Sequence, residues 1–559
     1  MATTASLRSR RSAAQLHALA GVEREIRAND PNSRRRYLLD FSEAFRSYRS
    51  VIKATDVQNQ LNAADVILVA DYHALPSSQH FTAQLLQQLS ATSDRPLVVG
   101  VETVFARDQH ILDEWVAGDI DEEELRDRIR FDLDWGYDWD PFYGLLQSAR
   151  ANAHAIYGLD CLPREDLRKI GARDRHAAAK VSEIRQKHPE ARIVIVFGES
   201  HFAPNHLPRL LRNRLSAERI VTVLQNVDAL YWIAAGESYD RVEAVQVDED
   251  VLCVFNSTPL EKYESYRLCL ERWSREGMGC PDLTPTVYNL INGLLRFLGM
   301  QLYSSHNSTQ PKFLVDSLPE VQCRTSESML RRLLARKAVP EEERKQLLKR
   351  VDERGAVYVP DVNTMFIREF HMMHAAEEAT RFLHHACRGL PLRKRATQAK
   401  SGEDAFYTLA LEHALAYLGS RVLYPARPAV RESELYELYD HTREDVEHST
   451  NFAFPEFIEM VDFLALHRGY ELNPQRYAEI PDPILSGVQY TGEKLEWCTR
   501  QLGYMLGTDV YQAYLEGIVT PRFLKNLFLL HIDEPASAGA AYFALARKIR
   551  RPNKRCVRS

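Results

Sequence analysis

The sequence predicts an α/β unit, a mainly parallel sheet flanked by helices, followed by a mostly α-helical domain. Three observations predict it. From Asp65 to about residue 280, short β-branched runs alternate with helical stretches, the pattern of parallel crossover units. Runs such as Ile193-Val194-Ile195-Val196-Phe197 are apolar without alternation, which suits strands buried on both faces. After about Thr284 the apolar residues recur almost throughout at helical spacing.

Residues 1–60 read as an N-terminal helical segment, with Leu16, Leu19 and Val22 on one stripe and Leu38, Phe41 and Phe45 on another. Residues 61–280 form the α/β domain. Its expected strands are Val66–Ala70, Leu97–Val101, Ala155–Leu159, Arg192–Phe197, Arg219–Leu224 and Val251–Phe255. Helices are expected between them at Ser78–Gln88, Ala106–Val116, Pro141–Asn152, Asp166–Lys187 and Leu207–Leu215. Residues 285–559 read as the helical domain, with Ala356–Val359 its one expected strand. Its helices include Asn363–Cys387, Thr491–Leu506 and Asp509–Glu516, and the basic stretch Gly389–Gly402 reads as a loop.

A chain of 559 residues exceeds one ordinary core, which calls for two or three domains. A net charge of −6 is small for this length and gives no field that would draw nucleic acid. Eight cysteines without a Cys-x-x-Cys pair suit reduced thiols and a cytoplasmic setting. No apolar run reaches the roughly 18–20 residues of a membrane span. The start carries Arg8, Arg10 and Arg11 but no apolar signal core, and reads as a short arm. The basic C-terminal tail reads as solvated, and oligomeric state is left open.

Chemistry gathers at the downstream ends of three strands: Asp71-Tyr72-His73, then Glu102, then Gly198-Glu199-Ser200-His201. In a parallel sheet these ends share one rim, where open α/β sheets bind ligands. Two imidazoles and several carboxylates there suit either a metal or an acid–base pair. Gly198 invites a left-handed turn, and Ser200 a helix cap. Tyr143 or Tyr137, in an aromatic and acidic stretch from Trp135, is a candidate phenolate ligand to iron. A second candidate metal face is His371, His374 and Glu378 on one predicted helix. A P-loop, a Gly-x-Gly-x-x-Gly turn and a Gly-x-Ser-x-Gly elbow are all absent, which removes support for nucleotide-dependent and ordinary serine-hydrolase chemistry.

The order Asp-Tyr-His, Val-Val-Gly-Val-Glu, Trp-x-x-x-Tyr and Val-Phe-Gly-Glu-Ser-His resembles the ChaN-like branch of the haem-binding uptake/Tiki superfamily, over roughly residues 60–275. That superfamily includes haem-binding ChaN lipoproteins, Tiki/TraB metalloproteases and erythromycin esterases. The resemblance matches His73 to the first histidine, Glu102 to the intervening glutamate and His201 to the second histidine. Ala70 stands where the family has glycine, Asp71 where it often has glutamate, and the lipoprotein cysteine is missing.

Three functions are expected. One is an iron-, haem- or metal-binding protein, with Asp71, His73, Glu102 and His201 as metal ligands and Tyr143, His73 and His201 against a haem. Another is an esterase- or peptidase-like hydrolase using His73, Glu102, His201 and Glu199. The third is a non-catalytic interaction protein. The expected partner is a small molecule or haem.

Overall fold

The computed structural model describes residues 4–30, 36–161, 170–237, 242–274, 281–304, 309–323, 326–336, 339, 341–389, 402–450, 452–472, 492–532, 534 and 536–549. The expected loop over 390–401, the start of the expected helix at Asp166 and the basic tail from 550 lie outside these residues. The chain divides into two units, Val22–Gly279 and Met1–Gly21 with Cys280–Ser559.

The first unit is built on eight strands: β1 (Ser50–Ile52), β2 (Val66–Asp71), β3 (Leu97–Phe105), β4 (Ala155–Asp160), β5 (Arg192–Gly198), β6 (Ile220–Gln225), β7 (Ala244–Asp248) and β8 (Val251–Val254). Their order is β1-β7-β8-β6-β2-β5-β3-β4. From β8 to β4 every pairing is parallel; β7 and β1 add an antiparallel edge. The sequence expectation missed β1 and β7, because a three-residue, mostly exposed strand and a five-residue, half-buried run carry little apolar signal.

Strands β2, β3 and β5 are buried along their whole lengths, as continuous apolar runs require. Alternate residues feed two cores. Ile67, Val69, Val99, Val101, Val194 and Val196 face the helices Pro76–Ala91 and Trp139–Asn152. Val66, Leu68, Ile193, Ile195 and Phe197 face Ile170–Lys187 and Leu207–Arg214. The outer edge of β4 is closed by a side chain: Gln109 donates to the Ile156 carbonyl at 2.9 Å and accepts from the Gly158 amide at 2.9 Å.

In the second unit, β9 (Glu320–Cys323), β10 (Ala356–Val359) and β11 (Thr364–Ile367) form a small sheet in the order β10-β11-β9. This corrects the helix expected from Asn363: Thr364–Ile367 pairs with β10, and the helix starts at Met372. A second correction concerns Thr491–Leu506 and Asp509–Glu516, which are one helix, Gly492–Leu515. Gly507, in the gap between the two expected helices, serves a close crossing with the helix Gly402–Leu423, where a Cβ would come within 2.7 Å of the Ala414 carbonyl. No helix among the described residues is long and apolar enough to cross a membrane.

Ile195 is fully buried in β5, between the two strands that carry the candidate site. Ile195→Ala is expected to cost about 2–5 kcal/mol through the cavity it leaves, read as a lowered urea midpoint for this unit.

Candidate functional site

Parallel pairing brings the three expected clusters together. β5 lies between β2 and β3, with Asp71 opposite Gly198 and Val101 opposite Val196. β3 continues to Phe105, so Glu102 does not end its strand. It sits one residue past the last β3–β5 pair, where β3 leaves its neighbour and the side chain can turn under the rim.

Glu102 is the centre of the site, and its side chain is 4% exposed. Oε1 accepts from Arg173 Nη2 at 2.5 Å and Oε2 from the Gly198 amide at 2.5 Å. His73 Nε2 lies 3.6 Å from Oε2, and His201 Nε2 3.6 Å from Oε1. Both imidazoles are held from behind by aspartates. His73 Nδ1 is 2.7 Å from Asp71 Oδ2, and His201 Nδ1 is 2.5 Å from Asp174 Oδ1. Asp71 accepts from Gln79 on its other oxygen, and Asp174 from the Tyr37 hydroxyl.

Burial opposes the charge on Glu102, but His201, Arg173 and His73 outweigh it and hold the carboxyl down to about 2. It is therefore ionised throughout the neutral range. Burial likewise opposes a proton on His73, yet the Asp71 hydrogen bond and the Glu102 charge raise its pKa above the ordinary value. Burial pushes the carboxyls of Asp71 and Glu199 up.

Gly198 is needed here for proximity. Its φ is −55°, so the left-handed turn expected from the sequence is not formed. A Cβ at this position would lie 3.0 Å from His73 Nε2 and 3.3 Å from Glu102 Oε2. Ser200 does not cap a helix: the turn Glu199–Phe202 has no side-chain cap. Glu199 pairs with Lys262 at 3.0 Å.

Over this floor lies a cavity of about 860 Å³, whose described lining residues all belong to the first unit. Asp71, His73, Glu102, Glu199 and His201 all line it. Tyr143 does not: its ring stacks on Trp139 at 5.3 Å and packs into the core beneath the helix. The aromatic stretch reaches the cavity through Trp135 and Tyr137 instead, which pack on the His73 ring at 4.5 and 5.3 Å.

Sequence reasoning missed Arg173 and Asp174. The signal was there: both fall on the stripe Ile170, Ala177, Ala178 and Val181 that faces the sheet, so two charges lie on an apolar helix face. Arg173 also makes two bonds to Asp160, at 2.8 and 2.9 Å.

Part of this chain is similar to a known family. Residues 57–201 match the family model of the haem-binding uptake, Tiki superfamily, ChaN. The ChaN-like segment thus contains His73, Glu102 and His201 and ends on the last of them. Among solved structures, "Cofacial heme binding to ChaN of Campylobacter jejuni" is 16% identical, covering 31% of this chain and 86% of that one, with a TM-score of 0.24. "The structure of the type III effector HopBA1" is 14% identical, covering 38% and 96%, with a TM-score of 0.28. At scores this low neither likeness bears on what the chain does. No curated protein matches the chain.

Haem is the group the ChaN-like family implies. A haem iron takes its equatorial donors from the macrocycle and asks the protein for an axial ligand. His73 fits that request: its side chain is 19% exposed against 3% for His201, and Asp71 orients the ring as carboxylates orient metal-binding imidazoles. A metal held by protein ligands alone is a different case. Among the described residues no group of three or more His, Cys, Asp or Glu side chains is arranged to hold one. Of the expected set, Glu102 is engaged by Arg173 and Gly198, and Asp71 by His73 and Gln79.

Because the Glu102 charge helps to raise the His73 pKa, Glu102→Gln is expected to lower it. A pH titration of the His73 ring signals by NMR in both proteins checks the direction.

Proposed function

We propose that the first unit binds a small, largely apolar molecule in this cavity and hydrolyses an ester or amide bond in it by acid–base catalysis. One observation carries the reading: an aspartate-held imidazole, His73, opens on the cavity with its Nε2 3.6 Å from Glu102, whose carboxyl is held ionised at neutral pH. Two polar atoms at that spacing both lie within hydrogen-bond reach of one water oxygen. His73 Nε2 takes a proton from that water, and Asp71 steadies the imidazolium. The water oxygen bonds to the carbonyl carbon. His73 then returns the proton to the departing alcohol or amine as its bond to that carbon breaks. Glu102 orients the water and stays charged, and Arg173 keeps it in place.

The base must be neutral to act, and its pKa is raised above the ordinary histidine value of about 6.5. Activity is therefore expected to be full above that raised value and to fall as pH drops through it. On a panel of chromogenic esters and amides, His73→Ala is expected to lower the rate by about 10²–10⁴-fold. Unchanged turnover in His73→Ala, or none in the wild type, would remove this reading.

A second reading is favoured by the family match and by Trp135 and Tyr137 flanking His73. In it the cavity would hold a haem, with His73 as the residue that would bind its iron and Trp135 and Tyr137 beside it. Bound haem would supply redox or ligand-binding chemistry at its iron. A Soret shift on haem titration that His73→Ala abolishes is its expected sign; an identical spectrum in both proteins counts against it.

A further inference from the structure

We propose that Tyr37, on a helix that precedes the family-like segment, is a positioning residue for His201: its hydroxyl holds Asp174 in the orientation that presents the His201 ring to Glu102. The placement of His201 stands on geometry alone. Only its effect on turnover rests on the acid–base reading.

A carboxylate that orients an imidazole needs a second anchor, because the terminal torsion of an aspartate is soft. Both aspartates of the rim have one. Asp71 gives Oδ2 to His73 and Oδ1 to Gln79. Asp174 gives Oδ1 to His201 and Oδ2 to the Tyr37 hydroxyl. Gln79 falls within the family-like residues 57–201, whereas Tyr37 lies ahead of them on the helix Arg36–Ala44. Burial and the Asp174 charge push the Tyr37 phenol well up, so the hydroxyl keeps its proton and donates it to the carboxylate.

The ring is fixed along with the hydroxyl. It stacks on His206 with centroids 3.7 Å apart and planes 13° from parallel, and it meets the His201 ring edge-on at 5.8 Å. His206 is in turn held at both nitrogens, with Nδ1 3.2 Å from the Ser200 carbonyl and Nε2 3.3 Å from Asp40. Asp40 belongs to the same helix as Tyr37. Phe41 and Phe45, buried in the core under the sheet, anchor that helix. It therefore grips the chain that follows β5 through Tyr37 and Asp40 together.

His201 matters in that position through its charge on Glu102. Its Nε2 lies 3.6 Å from Glu102 Oε1. Against the burial that opposes it, the Glu102 charge is supported by His201 ahead of Arg173 and His73. An imidazole that swung away would weaken the hold on the carboxylate that orients the attacking water. Among the described residues Tyr37 is not part of the cavity wall, although Leu38, Leu39 and Phe41 of the same helix are. Loss of its hydroxyl therefore acts on the rate and spares binding.

The test uses two variants of the full chain. Tyr37→Phe removes the hydroxyl and keeps the stack, whereas Tyr37→Leu removes both. The downfield Nδ1–H signal of His201 is recorded by NMR after nitrogen-15 labelling of histidine, with His201→Gln to assign it. Tyr37→Phe is expected to shift or broaden that signal and to leave the His73 ring signals unchanged. On an ester substrate, both variants are expected to lower kcat about tenfold at unchanged KM, the lower end of what loss of such a supporting partner costs. A wild-type His201 signal in Tyr37→Phe overturns the proposal. So does full kcat in Tyr37→Phe beside a loss in Tyr37→Leu, which would leave ring packing as the whole role, and so does a raised KM at full kcat. If the wild type turns over no ester or amide, the acid–base reading falls, while an altered His201 signal in Tyr37→Phe still supports the placement.

Discussion

The buried pairing of Glu102 with Arg173 is the constraint on which the rim depends. An ionised carboxylate at 4% exposure is costly unless it is paired and hydrogen-bonded. Arg173 meets that requirement and at the same time joins β3 to β4 through Asp160. The next residue, Asp174, holds His201. A single turn of the helix Ile170–Lys187 therefore sets the positions of the central carboxylate and of one flanking imidazole. The other imidazole is set from the opposite side by Asp71 at the end of β2.

Much of this was legible in the sequence. The β-branched runs predicted all six parallel strands to within a few residues, and the downstream placement of His73, Glu102 and His201 predicted their meeting at one rim. What was not legible has physical causes. Arg173 and Asp174 are charges in a helical segment, which default to solvent unless their register on the buried stripe is weighed. Between Tyr143 and Tyr137 the sequence could not choose, because periodicity cannot say which of several neighbouring aromatic residues turns inward: Trp135 and Tyr137 reach the cavity and Tyr143 packs beneath. The role of Gly198 was assigned to backbone angle, whereas its missing side chain is what lets His73 and Glu102 draw close.

The helical unit solves a related problem differently. Its helix Met372–Arg388 carries Glu377 and Glu378 at 1% exposure, each surrounded by arginines. Glu377 accepts from Arg354 at 3.0 Å and Tyr504 at 2.6 Å, and lies 2.8 Å from Arg427. Glu378 accepts from the Tyr358 amide at 2.8 Å and from Arg350 at 3.3 Å. These bonds engage the carboxylate that the sequence set beside His371 and His374 as a metal face. Charges balanced in this way specify how helices register against one another more than they add net stability. In the α/β unit the same kind of buried pairing sits next to a cavity, and there it fixes the positions of Glu102 and His201.

The glutamine beside β4 has a consequence for assembly. By bonding the Ile156 carbonyl and the Gly158 amide, Gln109 imitates one residue of an additional strand on that flank. The backbone groups most able to recruit a foreign β-segment are thereby occupied from within. Copies of this molecule gain no continuous ladder by lining up along that margin, so growth into ribbons or fibres is discouraged at the border where a parallel sheet is otherwise most open to it.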